Sequence, residues 1–391
     1  MTAELSAAAA RKLLLHSQRL HSKRRFGSGV DATLDAIEHL GYVQIDTLSV
    51  VARAHLHTLW NRLTGFSPTH IDQLQRDGRV FEYWSHALAI LPMKDFRYAL
   101  PMMNRIANGD VHWYPKDTRQ TRTALERIKA EGPLSSKDFD SSKSSKSMWS
   151  RSPSKIALEQ LFMEGKLMIS HRVNFHKFYD LRERVLPSEI DTSVPGTEEL
   201  CRFLIRSFLR CHGLAQVREM AYLRKGLGPS MQRVAREMAE DKEIVPVRVG
   251  QRDYYSQAHS LELLSSRLPR SSFRILSPFD NAIIQRKRVG DLFDFDYQIE
   301  CYVKRDKRKY GYFCLPLLHR NRLVGRLDAK ADRKCGILHL LHLQLEESVS
   351  NKPAVFDALG PELRRFAKFN GCGELRLHRL TGSSITPEWL R

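Results

Sequence analysis

Apolar residues along most of the chain recur every three or four positions, and shorter stretches alternate, so the pattern predicts helices interleaved with short strands. The clearest case is a helix over residues 198–210, then helices near 217–223 and through Met231 to Met238. A hairpin of strands at 244–249 and 254–257 follows them. Helices followed by a β-hairpin wing form a winged helix, which lays one helix in or along a DNA groove.

The same order is present earlier in the chain. A helix over 118–130 turns at Gly132, a serine- and lysine-rich loop leads to a helix bearing Leu158, and strands are predicted at 166–170 and 175–181. This stretch predicts a second winged helix.

The N-terminal third predicts a less regular copy. Asp31 caps a predicted helix that ends at Gly41, and candidate strands follow at 42–47 and 81–84. A further helix is predicted to begin near Ser49.

Beyond about residue 276 the pattern changes to strands separated by turn residues, which predicts a small antiparallel sheet or partly closed barrel. Its predicted elements are strands at 297–304, 310–318, 322–329, 337–345 and 374–378, and a helix at 354–369. We therefore predict an α+β protein with three tandem winged-helix domains followed by a C-terminal antiparallel β-barrel-like domain. The predicted boundaries are 1–110, 111–192, 193–268 and 269–391.

Charge indicates the kind of partner. The 391 residues include 63 Lys and Arg against 44 Asp and Glu, a formal net charge of +19, which favours a polyanion. A membrane role is not favoured, because the run Ala7 to Ala10 is interrupted by Arg11 and Lys12. The six cysteines are scattered without a Cys-x-x-Cys pair, which indicates neither a zinc module nor a disulfide framework. We expect a cytoplasmic protein, associated with the nucleoid through DNA.

Basic residues form two clusters. The first lies in the serine-rich loop before the helix of the second winged helix, and the second is predicted at a hairpin tip with Tyr302, Tyr310 and Tyr312 around it. Either cluster alone is typical of a solvated loop, but two clusters beside winged helices predict contacts with DNA phosphates. The candidate DNA-binding residues of the clusters are Lys143, Lys146, Arg151, Lys155, Arg305, Lys307 and Arg308.

One carboxylate stands out. In the predicted strand 42–47, side chains alternate between faces, so Gln44 and Asp46 point the same way. Asp is disfavoured inside strands because its carboxylate competes for backbone amides. Two explanations remain open: a functional role for Asp46, or a cap for the helix that begins near Ser49.

Several motifs, from GYVQIDT (41–47) to LVGRLD (323–328), together resemble the winged-helix DNA glycosylases of the AlkZ/YcaQ type, which unhook interstrand crosslinks. A Gln-apolar-Asp motif at Gln44 to Asp46 is similar to the YcaQ-like branch, whereas the other branch has Gln-apolar-Gln. The resembling stretches are GYVQIDT (41–47), RAHLH (53–57), FEYWSH (81–86), LSPFDN (276–281), YGY (310–312), LPLL (315–318) and LVGRLD (323–328).

The resemblance implies a monofunctional glycosylase that removes N7-alkylated purines, including a guanine tethered to the opposite strand, and leaves an abasic site. A cationic purine is a good leaving group, so a single carboxylate suffices, and we expect Asp46 to stabilise the oxocarbenium and take a proton from water. Gln44 would hold that water or orient Asp46. Arg53 is a candidate phosphate clamp, and His86 is a candidate phosphate or sugar contact, although a hydrogen-bonded core role also fits.

Other functions stay open at this stage. Tandem winged helices also occur in transcription regulators that bind DNA without catalysis, in which case Gln44 and Asp46 would be structural. A nuclease is disfavoured because no acidic cluster suits Mg²⁺. His55 and His57 are not expected to bind metal in a helix, and Asp280 could either belong to the site or cap a loop. The predicted partner is double-stranded DNA with an alkylated or crosslinked guanine, bound by a monomer without cofactor, metal or membrane.

Overall fold

The computed structural model describes residues 2–21, 26–110, 117–139, 152–269, 271–385 and 387–390. The chain forms two compact units built from separate stretches. Unit 1 comprises Met1–Gly27, Val43–Gly65 and Cys201–Arg391, and unit 2 comprises Ser28–Tyr42 and Phe66–Leu200. The fold is mixed α+β, as predicted. No helix in these described ranges has the length and apolar composition needed to cross a bilayer.

Helices occur throughout the described residues. They are α1 (Ala7–Ser17), α2 (Gly29–Leu40), α3 (Ala54–Trp60), α4 (Thr69–Arg76), α5 (Leu100–Ala107), α6 (Thr118–Glu131), α7 (Pro153–Met163), α8 (Arg182–Val185), α9 (Thr197–His212), α10 (Val217–Met220), α11 (Gly228–Glu240), α12 (Ala258–Leu261), α13 (Arg286–Phe293) and α14 (Lys352–Phe369).

Most strands are short, and the two longest, of 11 and 9 residues, lie in the last third of the chain. They are β1 (Ala3–Leu5), β2 (Val43–Gln44), β3 (Val80–Trp84), β4 (Leu88–Pro92), β5 (Leu167–Val173), β6 (His176–Leu181), β7 (Leu214–Ala215), β8 (Val245–Val249), β9 (Arg252–Ser256), β10 (Phe273–Ile275), β11 (Cys314–His319), β12 (Arg322–Asp332), β13 (Ile337–Leu345), β14 (Glu374–Leu377) and β15 (Leu380–Thr381).

Unit 2 contains two antiparallel hairpins, β3–β4 and β5–β6. The helices α6 and α7 precede the second hairpin, and Leu134 pairs with Tyr179 on β6, so the predicted order of helix, helix and wing is confirmed. Aromatic and sulfur-containing side chains such as Phe96, Met103 and Phe162 form one continuous apolar core. The hydroxyl of Tyr83 donates to the carbonyl of Met163 at 2.7 Å, which satisfies its only polar group inside that core.

The elements of the clearest prediction are present in the middle of unit 1, although the helix expected near 217–223 is found only at Val217–Met220. Helices α9, α10 and α11 pack through Ile205, Met220, Met231 and Val234, and the hairpin β8–β9 follows them. Strand β7 pairs with β9, and the N-terminal β1 adds a parallel strand beside β8. Strand β1 is thus an edge strand of this sheet.

The C-terminal part of unit 1 contains a six-stranded sheet that curls into a half-barrel, in the order β10-β11-β12-β13-β14 with β15 also paired to β13. Close approach of β12 and β13 requires glycine at position 325, because a Cβ there would lie 2.1 Å from the carbonyl oxygen of Gln344. The predicted barrel-like domain is therefore confirmed as an open, curled sheet. The prediction that it is antiparallel is wrong for two strands, because β14 and β15 both pair in parallel with β13. The division into four domains at the predicted boundaries stays a prediction.

The predicted strand 297–304 is wrong, and so is the hairpin tip that the basic residues were expected to occupy. The segment instead contains 3₁₀ turns at Glu300–Tyr302 and Arg305–Lys307. The buried Glu300 carboxylate accepts hydrogen bonds from the backbone N–H groups of Lys309, Tyr310 and Gly311 at 2.7–2.9 Å. These amides are therefore not available to a strand ladder.

The strand predicted over 310–318 begins only at Cys314. Asp328, on β12, accepts from the backbone N–H groups of Tyr312 and Phe313 at 3.0 and 2.9 Å. Five consecutive backbone donors, 309–313, are thus bonded to two carboxylates, and β pairing starts at the next residue.

Candidate active site

Asp46 lies just outside the short strand β2, on the loop that leads to α3. Its Oδ1 accepts from the backbone N–H of Leu48 at 2.8 Å, which turns the chain and ends the extended segment. The predicted strand 42–47 is therefore wrong beyond Gln44, and strand alternation does not place Gln44 and Asp46 on one face. The capping alternative is also wrong, since α3 begins at Ala54 with Arg53 at its N-cap.

The loop that carries Asp46 is anchored to the half-barrel sheet at its far end. The carbonyl of Val50 accepts from the N–H of Ala331 on β12 at 2.9 Å, and the N–H of Ala52 donates to Oδ1 of Asn370 at 2.6 Å. A carboxylate held by a fixed backbone is suited to a role that depends on geometry.

Partial burial raises the pKa of Asp46, and the opposing hydrogen bond from Leu48 is the smaller influence. The charge of Asp46 in turn acts on the neighbouring 3₁₀ turn. The pKa of the Cys301 thiol is raised to about 11 and that of the Tyr302 phenol to about 12. Burial is the largest cause of both shifts, and the charge of Asp46 is the second largest. Asp46 therefore lies within electrostatic reach of residues that follow it by about 255 positions.

Gln44 is buried, with 8% of its surface exposed. It precedes Asp46 by two residues and lies within β2. The structure thus places a buried amide and a half-buried carboxylate on either side of Ile45.

The basic segment beside Asp46 is fixed at both ends. Glu300 holds it through the backbone N–H groups of 309–311, and the Arg308 guanidinium donates to the carbonyl of Val303 at 2.9 Å and lies 4.8 Å from the Tyr312 ring centre. The side chains of Lys304, Arg305, Lys307 and Lys309 are exposed, and Arg308 is half-buried. The structure thus presents several cations next to the turn that Asp46 influences.

Arg286 is a further cation here that sequence reasoning missed. It is exposed at the first turn of α13, and its charge lowers the pKa of Tyr302, against the stronger effects of burial and Asp46. Neither Arg286 nor Glu300 carries a local sequence signal, because the residues on which they act lie 9 to 16 positions further along the chain.

The other predicted DNA-binding residues occupy separate positions. Arg53 is half-buried at the N-cap of α3. His86 belongs to unit 2, between β3 and β4, where its ring meets Tyr42 edge-on at 5.0 Å. Lys155 is exposed in the first turn of α7. Lys143, Lys146 and Arg151 lie outside the described residues.

Asp280, which the sequence left open, and His57, which was not expected to bind metal, both have buried structural partners. Asp280 is fully buried and forms a bidentate ion pair with Arg62, with both N–O distances at 2.8 Å. His57 is buried, bonded to the carbonyl of Ile275 at 2.8 Å and in contact with Phe366, and burial lowers its pKa to about 4. Among residues that the structure describes, no three His, Cys, Asp or Glu side chains are grouped to hold a metal ion.

Comparison with known proteins defines the class. A family model described as DNA glycosylase AlkZ-like matches residues 37–369, which is most of the chain. The chain therefore belongs to the AlkZ-like DNA glycosylase family, and the protein is a DNA N-glycosylase. This confirms the family resemblance of the motifs, and an enzyme is favoured over a regulator that only binds DNA.

One solved structure is similar over nearly the whole chain. It is the Streptomyces sahachiroi DNA glycosylase AlkZ, with a TM-score of 0.65 and 16% sequence identity over 96% of this chain and 100% of that one. At this identity the likeness shows a common fold.

Proposed function

We propose that the protein hydrolyses the N-glycosidic bond of N7-alkylated purines in duplex DNA, including guanines crosslinked to the opposite strand, and leaves an abasic site. The observation that carries the proposal is Asp46, a half-buried carboxylate with a raised pKa on an anchored loop beside a row of cations. Membership of the AlkZ-like family supports DNA as the substrate.

Asp46 has the properties that this reaction needs. Alkylation at N7 makes the purine a cation, so the C1′–N9 bond breaks with its electron pair moving to the base, which leaves neutral. Water forms the new bond to C1′, and its proton passes to the Asp46 carboxylate. The same charge stabilises the oxocarbenium character at the sugar, and partial burial strengthens that interaction.

Gln44 is proposed to position the attacking water or to orient Asp46. Its amide offers both a donor and an acceptor, as a water molecule aimed at C1′ requires. Because the leaving group needs no proton, one carboxylate is sufficient, in contrast to the paired carboxylates of glycoside hydrolases.

The rest of the chain is proposed to bind the duplex. Three tandem winged helices, with boundaries at 1–110, 111–192 and 193–268, would follow the DNA, and the half-barrel would bring Asp46 to the lesion. Arg53, His86, Lys155 and the basic segment around Arg305, together with Lys143, Lys146 and Arg151, are the proposed phosphate contacts. An open channel suits a guanine that is bonded to the other strand and is not free to leave the duplex. We propose that the protein acts as a monomer.

The test is base release from a duplex that contains N7-methylguanine, together with unhooking of a duplex joined through two guanine N7 atoms. We expect the wild type to release the base and leave an alkali-sensitive abasic site. Asp46→Asn preserves the shape of the side chain but removes the general base. The rate of N7-methylguanine release should therefore fall by about 10²- to 10⁴-fold. Affinity for unmodified duplex should stay within about twofold, because one of many charges changes.

Asp357→Asn is the matched control, since Asp357 is an exposed aspartate on α14 in the same unit. It should retain wild-type release. The proposed function would be contradicted if Asp46→Asn released the base at the wild-type rate, or if the wild type released none.

A further inference from the structure

Tyr302 is exposed to an unusual degree for an aromatic residue. With 71% of its surface accessible, it exceeds every other large apolar side chain in the described ranges, including Leu223 at 67%. A single exposed apolar residue needs no explanation by itself. The exposure of Tyr302 does need an explanation, because Tyr302 lies beside Asp46 and its backbone is fixed.

The backbone of Tyr302 is held by the half-barrel rather than by a mobile loop. The 3₁₀ turn Glu300–Tyr302 begins with the buried carboxylate that accepts from the N–H groups of Lys309, Tyr310 and Gly311. The two residues beyond them are bonded to Asp328 on β12. The Tyr302 ring therefore projects into solvent from a segment whose backbone conformation is held by these hydrogen bonds.

The loop of Asp46 is attached to the same strand. Val50 is bonded to Ala331, only three positions along β12 from Asp328. Two separate stretches of chain, one with a carboxylate and the other with an exposed ring, are thus tied to neighbouring points of one strand. The effect of the Asp46 charge on the phenol of Tyr302 agrees with this placement.

A neutral aromatic face beside a carboxylate matches a flat cation. Neutral bases stack on aromatic rings, and a cationic ring is attracted in addition by the negative face of the tyrosine. An N7-alkylated purine is flat and positively charged, whereas undamaged guanine is flat and neutral.

We propose that Tyr302 recognises the lesion by its charge, stacking its ring against the cationic purine whose sugar lies at Asp46. The proposal rests on the proposed function, since it places the lesion at Asp46. It adds how the enzyme distinguishes an alkylated purine from the surrounding bases.

The experiment measures binding without cleavage, so it is independent of catalysis. One duplex carries 2′-fluoro-N7-methylguanosine, in which the fluorine stabilises the glycosidic bond, and the other carries 2′-fluoro-7-methyl-7-deazaguanosine, a neutral analogue of the same shape. The wild type should prefer the cation. Tyr302→Phe should keep the preference because the ring remains, and Tyr302→Leu should lose roughly 5- to 30-fold of it.

Asp46 alone also favours a cation, and a double variant separates the two contributions. In the Asp46→Asn background, some preference for the cationic duplex should remain, and Asp46→Asn/Tyr302→Leu should abolish that remainder. Because Tyr302 is exposed, Tyr302→Phe and Tyr302→Leu should unfold at the wild-type temperature.

Each outcome decides the proposal. A preference that is undiminished in Tyr302→Leu overturns it, and an equal loss in Tyr302→Phe and Tyr302→Leu assigns the effect to the hydroxyl and also overturns it. If binding behaves as expected but the wild type does not release N7-methylguanine, the proposed function fails while charge recognition by Tyr302 stands.

Discussion

Burial raises the pKa of Asp46, and the direction of that shift determines how activity depends on pH. The carboxylate acts as a base only when ionised, so kcat/KM for N7-methylguanine release should fall in acid with an apparent pKa above the usual aspartate range. The measurement is single-turnover base release across pH, corrected for spontaneous depurination. An apparent pKa at or below the usual aspartate range would contradict the burial of Asp46.

The same shift has a consequence for stability with the opposite sense. A carboxylate whose pKa is raised by folding stabilises the folded state at low pH, and this contribution is lost as pH rises through the raised pKa. At neutral pH the charge of Asp46 therefore costs folding free energy. This is the behaviour of a residue retained for chemistry rather than for stability, and it explains why Asp46→Asn is expected to fold well.

Asp280 illustrates the limit of motif reading at single residues. It belongs to a stretch that resembles the family, which left a role in the site open, yet it is fully buried against Arg62. The Arg62 guanidinium also donates to both oxygens offered by Gln18 and to the carbonyl of Thr58. A charged residue in a recurring motif therefore has two explanations, catalysis or a buried ion pair, and only spatial partners distinguish them.

At the scale of elements, the sequence predicted those that depend on local pattern. The helix expected at 118–130 is found at Thr118–Glu131, and the strand expected at 337–345 is found at Ile337–Leu345. The failure at 310–313 has a cause that the structure shows. Two carboxylates from distant positions, Glu300 and Asp328, bond the backbone amides that a strand would have used, and no local pattern records such capture.

Replacement of Glu300 should destabilise the folded protein. In Glu300→Gln, one oxygen that accepts hydrogen bonds becomes an NH₂ group facing backbone N–H donors, so a buried donor loses its partner. We expect a loss of about 1–3 kcal/mol in the free energy of unfolding, measured by urea denaturation. Base release should also slow, because the segment of Tyr302 would move relative to Asp46.

Glu347→Gln is the control, since Glu347 is exposed after β13 and its replacement should change stability by less than about 0.5 kcal/mol. Equal stability of the two variants would show that the Glu300 hydrogen bonds do not hold the segment.

At the scale of the whole molecule, the candidate site joins residues that are far apart in the chain. The motif at Gln44 to Asp46 was visible in the sequence, because an aspartate after an apolar strand is unusual. The 3₁₀ turn at Glu300–Tyr302 was expected to be part of a strand, so its meeting with Asp46 could not be foreseen. No sequence pattern indicates that both segments are attached to β12, one through Ala331 and the other through Asp328.

Because the net charge is +19, the affinity for duplex DNA should depend on salt concentration. Each phosphate neutralised by a cation releases counterions, so the slope of log K against log salt concentration counts such contacts. Replacing the exposed Lys304, Arg305 and Lys307 by glutamine should make the slope shallower by roughly 2 to 3 for duplex DNA. Replacing Lys352, Arg364 and Lys368 on α14 removes the same charge and should leave the slope within about one of the wild type. Fluorescence anisotropy at several salt concentrations measures both, and equal changes would mean that general charge, rather than the segment beside Asp46, binds the duplex.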